Sequence, residues 1–165
     1  MKIEDGFTVA APIERVWACI TDPDIVAPCV PGCQSVEAIS PTAYKAQVQI
    51  AVGPIKAKFN LDVELVEESP PNELRSRTRG EEGSRASIVS AENLLRLAPA
   101  EGGGTEVTYS SEVSVVGRLG KFGLGVMKKK AQTLGQQFAE NFRQKVEEET
   151  NGADEAAVHV ADAER

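Results

Sequence analysis

Two stretches carry residue types and spacings from which chemistry could be built. The first, GRLGKFGLGVMKKK, sets Gly117, Gly120, Gly123 and Gly125 among bulky apolar residues and closes on Lys128, Lys129 and Lys130. A phosphate loop needs G-x-x-x-x-G-K-[ST] between a strand and a helix, with the hydroxyl serving magnesium. Here Lys121 follows Gly120, but Phe122 stands where the hydroxyl belongs. Leu119, Leu124 and Val126 around it seek apolar surroundings, so the phosphate reading fails. The second stretch, CVPGC, separates Cys29 from Cys33 by three residues. Tetrahedral zinc takes three or four protein ligands, and Cys19 is the only other thiol, in helical register with Val16 and Ile20. A small buried thiol there is ordinary. CVPGC therefore reads as a rigid turn with Val30 and Cys33 at a cavity mouth, and no metal site is expected.

Acid–base and nucleophilic catalysis find little support. The single histidine, His159, lies near the C-terminus, so no Ser-His-Asp or Cys-His arrangement can form within the fold. Glu92, in IVSAENLLRL, reads as a solvent-facing carboxylate, and no catalytic residue is assigned. Arg75, Arg77 and Arg79 alternate with Leu74, Ser76 and Thr78, which places the arginines on the outer face of a strand. Together with Lys56 and Lys58 they would form a basic patch if the two strands were neighbours.

These residues need a scaffold. The chain of 165 residues suits one domain. Aromatic residues make up only 5%, so Val, Ile, Leu and Ala must build the interior. A net charge of −7 argues against a general nucleic-acid binder. No apolar run approaches the roughly 20 residues of a membrane span, and the acidic N-terminal MKIEDGFTVAAP is unlike a signal peptide. The odd cysteine count fits reduced thiols in the cytoplasm.

Residues 2–10 alternate as a first strand. Ile13, Val16, Trp17 and Ile20 recur at helical spacing after Pro12, and Pro23 and Pro28 set off a second short helix. From Ser35 to Val116 alternation dominates, clearest in Ile55, Ala57, Phe59, Leu61, Val63 and Leu65. Short turns between successive strands predict an antiparallel curved sheet. Beyond Gly117 the period turns helical, with Met127, Ala131, Leu134, Phe138, Phe142 and Val146 on one stripe. The predicted fold is α+β: a curved antiparallel sheet of about seven strands gripping a long C-terminal helix, with two short helices after strand one. Residues 1–148 form the domain, and residues 149–165 are expected to be a disordered acidic tail.

The stretch FTVAAPIERVWACITDPDIVAPCVPGCQSVE resembles the opening of the START-like (SRPBCC) superfamily. With CVPGC, VGPIKAKF, GGGTEVTY and GRLGKFG the chain resembles, more narrowly, the CoxG family of carbon monoxide dehydrogenase proteins over nearly the whole domain. That resemblance implies a helix-grip fold and a non-enzymatic accessory protein of a molybdenum-containing CO dehydrogenase or related hydroxylase. It further implies a hydrophobic small molecule, a quinone such as menaquinone or ubiquinone, in the grip cavity, and recruitment of the enzyme to the membrane. Some members end in a membrane-anchoring extension; the short acidic tail here departs from that pattern. The expected location is cytoplasmic, peripheral at the inner face of the cell membrane.

The cavity residues expected on the strands are Tyr44, Val48, Ile50, Phe59, Leu61, Val63, Leu95 and Tyr109, with Val30 at the mouth. Tyr44 and Tyr109 supply phenolic hydroxyls for a ligand carbonyl. Leu119, Phe122, Val126 and Met127 would close the cavity as a glycine-softened gate. Arg118, Lys121, Lys128, Lys129 and Lys130 would touch an anionic membrane transiently, unless the apolar residues among them pack on the sheet. Competing functions are a superfamily cyclase or hydrolase acting on an apolar substrate, and a ligand-free adaptor.

Overall fold

The computed structural model describes the backbone of residues 1–163 and the side chains of residues 1–149. The elements run as β1 (Lys2–Val9), α1 (Ile13–Ile20), α2 (Pro23–Val26), β2 (Cys33–Ser40), β3 (Ala43–Val52), β4 (Ile55–Ser69), β5 (Glu73–Glu82), β6 (Ser87–Pro99), β7 (Thr105–Gly117) and α3 (Leu124–Ala163). A 3-10 turn, Arg118–Phe122, links β7 to α3. The side chains of the expected tail, from residue 150 onward, lie outside the described residues.

All seven strands form one antiparallel sheet in the order β1-β7-β6-β5-β4-β3-β2. Strands β2 to β7 are successive neighbours, so short turns suffice between them. Only β1 departs from this sequence: it pairs with β7 at the far edge, and α1 and α2 carry the chain across to β2. Pro12 stands at the N-cap of α1, just outside the first turn. In α2, Pro23 occupies the first turn and the Asp22 carboxylate accepts from the Asp24 amide at 3.0 Å, satisfying one otherwise orphaned donor.

The concave face is filled at its two ends. One cluster packs Val9, Val16, Cys19, Leu97 and Val107 against Phe142 and Val146 of α3. Phe7 meets Phe142 edge-on at 6.2 Å, and Phe138 stacks on Phe142 at 5.7 Å. Full burial of side chains of this size contributes about 1.5–3 kcal/mol each. The other cluster buries Val52, Ala57, Phe59 and Leu119, with Phe122 and Met127 packed against it. Val107 and Val115 sit near opposite ends of β7 and join different clusters. The apolar stripe of α3 therefore serves both ends, while its middle spans ground that neither cluster fills.

The turn between β7 and α3 is pinned. Gly117 has φ +96°, and a Cβ there would run into the Ala86 carbonyl and Ser87, so only glycine fits. Arg118 donates its backbone N–H to the Ala86 carbonyl at 2.8 Å, and the Leu119 N–H reaches the Ser87 hydroxyl at 3.1 Å. The Arg118 guanidinium is ion-paired with Glu82, which is only 5% exposed. That pairing holds the Glu82 carboxyl below the usual carboxylate range.

Candidate functional site

Between the two clusters lies a cavity of about 390 Å³, within the range of small-ligand pockets. Its floor is the sheet: Tyr44, Ala46 and Val48 of β3, Leu61 and Val63 of β4, Leu74, Ser76 and Thr78 of β5, Asn93 and Leu95 of β6, and Tyr109 of β7. Gly135 and Phe138 of α3 form its roof, and Val26, Val30, Cys33 and Val36 line one side. A second space of about 500 Å³, under the start of α3, is bounded by Val113, Val115, Leu124 and Met127 together with the charged Arg77, Arg79, Glu92 and Glu112. Thr78 lines both spaces.

Gly135 lets α3 pass close over Tyr109. A glycine inside a helix costs about 1 kcal/mol relative to alanine. Here a Cβ would sit 2.5 Å from the Tyr109 hydroxyl, so the glycine makes room for the phenol beneath the helix. Burial pushes the Tyr109 phenol above its ordinary pKa, with the Asp5 charge adding to the effect, and burial alone does the same for Tyr44. Both stay protonated, so each phenol keeps a proton to donate.

Strand register adds a feature that the pattern of any single strand conceals. Ser76, Asn93 and Ser111 face one another across β5, β6 and β7. The Asn93 amide nitrogen donates to the Ser76 hydroxyl at 3.3 Å and to the Thr78 hydroxyl at 3.2 Å. The Ser111 hydroxyl donates to the Asn93 carbonyl oxygen at 2.7 Å. A polar row thus runs between the apolar row Leu74–Leu95–Tyr109 and the small-residue row Thr78–Ala91–Val113. None of these polar residues stands out in the sequence as a site residue. Asn93 lies within IVSAENLLRL, where Glu92, its neighbour on the opposite face, is the more conspicuous group. Alternation alone already puts Ser76, Thr78 and Asn93 on inner faces.

Of the expected cavity residues, the structure brings Val30, Tyr44, Val48, Leu61, Val63, Leu95 and Tyr109 together around the space. Ile50, Phe59, Leu119 and Phe122 do not line it; they belong to the packed cluster at the end of the sheet. Leu119 is 1% exposed, so the segment is a plug in a packed core, not a gate over the cavity. The reason is the 3-10 turn, which folds Leu119 and Phe122 inward against Val52 and Ala57 of the β3–β4 hairpin. Met127 packs on that cluster and borders the second space. Val126 points outward at 49% exposure, beside Leu124 at 73%.

The expected membrane residues divide similarly. Arg118 is tied to Glu82. Lys121, Lys128 and Lys129 are exposed and Lys130 is half-buried, and none has an ion-pair partner among the described residues. They flank the exposed Leu124 and Val126. The arginine row on β5 is paired instead: Arg75 with Glu67 and Glu73, Arg77 with Glu92, and Arg79 with Glu81. Strands β4 and β5 are neighbours, yet Asp62 and Glu64 stand opposite Arg79 and Arg77. No shared basic patch with Lys56 and Lys58 results. Among the described residues, no helix is long and apolar enough to cross a membrane.

Comparison with solved structures places this architecture among START-like proteins. A conserved protein from Geobacillus kaustophilus is 27% identical with a TM-score of 0.82, over 88% of this chain and 95% of that one. A START superfamily protein from Mycobacterium smegmatis, 14% identical, superposes with a TM-score of 0.70 over 89% of this chain and 97% of its own. The Zhui aromatase/cyclase from Streptomyces sp. R1128, 15% identical, gives 0.66 over 89% and 93%. At such identities the last two establish the fold alone. No curated protein matches this sequence. The family model of CoxG, the G subunit of carbon monoxide dehydrogenase, matches residues 6–147, and the chain belongs to that family.

Proposed function

We propose that this chain is a non-catalytic accessory protein of a molybdenum-hydroxylase-type CO dehydrogenase. It holds a neutral apolar ligand, a quinone, beneath α3 and meets an anionic membrane surface transiently through Lys121, Lys128 and Lys129. The observation that carries this reading is the apolar cavity left open between two well-packed clusters, in a chain of the CoxG family. An enzyme of the same fold would need an acid or base at the reacting atoms. Apart from two phenols that burial holds protonated and the Cys33 thiol, the cavity walls offer only hydroxyls and one amide, with no carboxylate, imidazole or amine among them.

Protein isolated from its own cells and weighed intact by native mass spectrometry should carry an adduct that organic solvent extracts as a quinone. A mass equal to the bare chain, with nothing extracted, would favour the ligand-free adaptor. The surface role has its own test. Changing Lys121, Lys128 and Lys129 together to Glu should weaken co-sedimentation with vesicles containing phosphatidylserine, by roughly fivefold per lysine at low salt. Unchanged sedimentation would remove the membrane contact from the proposal.

A further inference from the structure

We infer that the Ser76–Thr78–Asn93 cluster is a donor subsite that selects a neutral ligand carrying a carbonyl or similar acceptor oxygen. It rejects both hydrocarbons of the same shape and carboxylates. This deepens the proposed carrier role and rests on the cavity being a binding site.

The inference rests on hydrogen-bond inventory. An asparagine amide has two N–H protons, and a hydroxyl has one proton and two lone pairs. Both Asn93 protons are committed, one to each hydroxyl of Ser76 and Thr78. The Asn93 oxygen is occupied by the Ser111 proton. Ser76 and Thr78 therefore receive hydrogen bonds, while their own protons have no acceptor among the described residues. Both residues line the cavity. The wall thus presents two hydroxyl protons, already polarised by the amide behind them. The protonated Tyr109 lies in the adjacent row.

Such a wall asks for an acceptor. A saturated hydrocarbon would leave the two donors unanswered, and a carboxylate would arrive with no cation to meet it. The cavity lining contains no lysine or arginine, and the acid nearest in register, Asp5 opposite Tyr109, would repel an anion. A neutral ketone, quinone or ester satisfies the donors without bringing a charge out of water. Thr78 also borders the second space, toward Leu124 and Met127.

Three probes of nearly the same shape test this: 2-acetylnaphthalene, 2-ethylnaphthalene and 2-naphthoate, titrated into the full chain at pH 8 and followed by calorimetry. The ketone should bind about tenfold tighter than the hydrocarbon, as expected for two neutral hydrogen bonds, and the carboxylate weakest of the three. The paired variant Ser76→Ala with Thr78→Val should erase the ketone's advantage and leave 2-ethylnaphthalene within about twofold. Equal binding of ketone and hydrocarbon to the unmodified chain would overturn the subsite while leaving the carrier role standing. That result is what an amide turned over, its oxygen accepting from both hydroxyls, would produce. Tighter binding of the naphthoate would overturn the subsite too. Failure of all three probes to bind would overturn the carrier reading along with it. The probe series on the unmodified chain decides the matter even if the paired variant does not fold.

Discussion

Gly135→Leu is expected to abolish most ligand binding while the protein stays folded. The side chain would enter the cavity directly over the Tyr109 hydroxyl. A Cβ at Gly135 already meets the Tyr109 hydroxyl at 2.5 Å, so the phenol must swing into the cavity and the leucine must occupy the remaining space. Taking up the space a ligand needs forces the ligand to overpack what remains, which costs up to about 3 kcal/mol or about a hundredfold in Kd. Stability moves little, because leucine's helix propensity exceeds glycine's by nearly 1 kcal/mol and offsets the displaced tyrosine. Titration of an apolar fluorescent probe together with a thermal melt separates the two effects. Binding that survives within threefold would show that ligands lodge elsewhere, and the cavity beneath α3 would lose its role.

Leu119→Ala should do the reverse. Leu119 is buried to 1% exposure among Val52, Ala57 and Phe59 and takes no part in the cavity wall. Emptying such a site costs about 2–5 kcal/mol. With about 2–4 °C lost per kcal/mol in a domain of this size, a fall of roughly 4–20 °C in Tm is expected. The affinity of the folded protein for the same probe should stay within about twofold. Phe122→Asp should destabilise as well, since it sets a charge against the same cluster. If Leu119→Ala instead changed affinity at constant Tm, the segment from Gly117 would be a gate, contrary to its packing. Together the two variants assign opposite duties to two glycine-bearing regions: one keeps space open, and the other locks a plug in place.

The strands and helices were legible because each is written in a local period. Ile55 to Leu65 alternates by two, and Met127 to Val146 recurs by three and four, and burial of one face enforces either pattern. Sequential strands with tight turns could hardly form anything but an antiparallel meander, and the long apolar stripe needed its concave face. Half the cavity was legible for the same reason. Tyr44, Val48, Leu61, Val63, Leu95 and Tyr109 all lie on inner faces, and alternation says so.

Alternation does not say where along an inner face the packing stops. Val48 and Ile50 are neighbours on one face of β3, yet one borders the cavity and the other packs into the end cluster. That division depends on where the turn from Arg118 to Phe122 docks, a contact between β7's end and the distant β3–β4 hairpin. The same turn decided that Arg118 neutralises Glu82 while Lys121, Lys128 and Lys129 stay free of ion pairs among the described residues. The polar row was beyond reach for a related reason. Ser76, Asn93 and Ser111 are unremarkable in their own strands, and only the inter-strand register brings them into hydrogen-bonding distance. The amino-acid sequence by itself determined which face each residue shows, because that is a property of a local period. The tertiary structure alone decided which residues meet across the sheet and which space is left unfilled, because those depend on contacts between segments far apart in the chain.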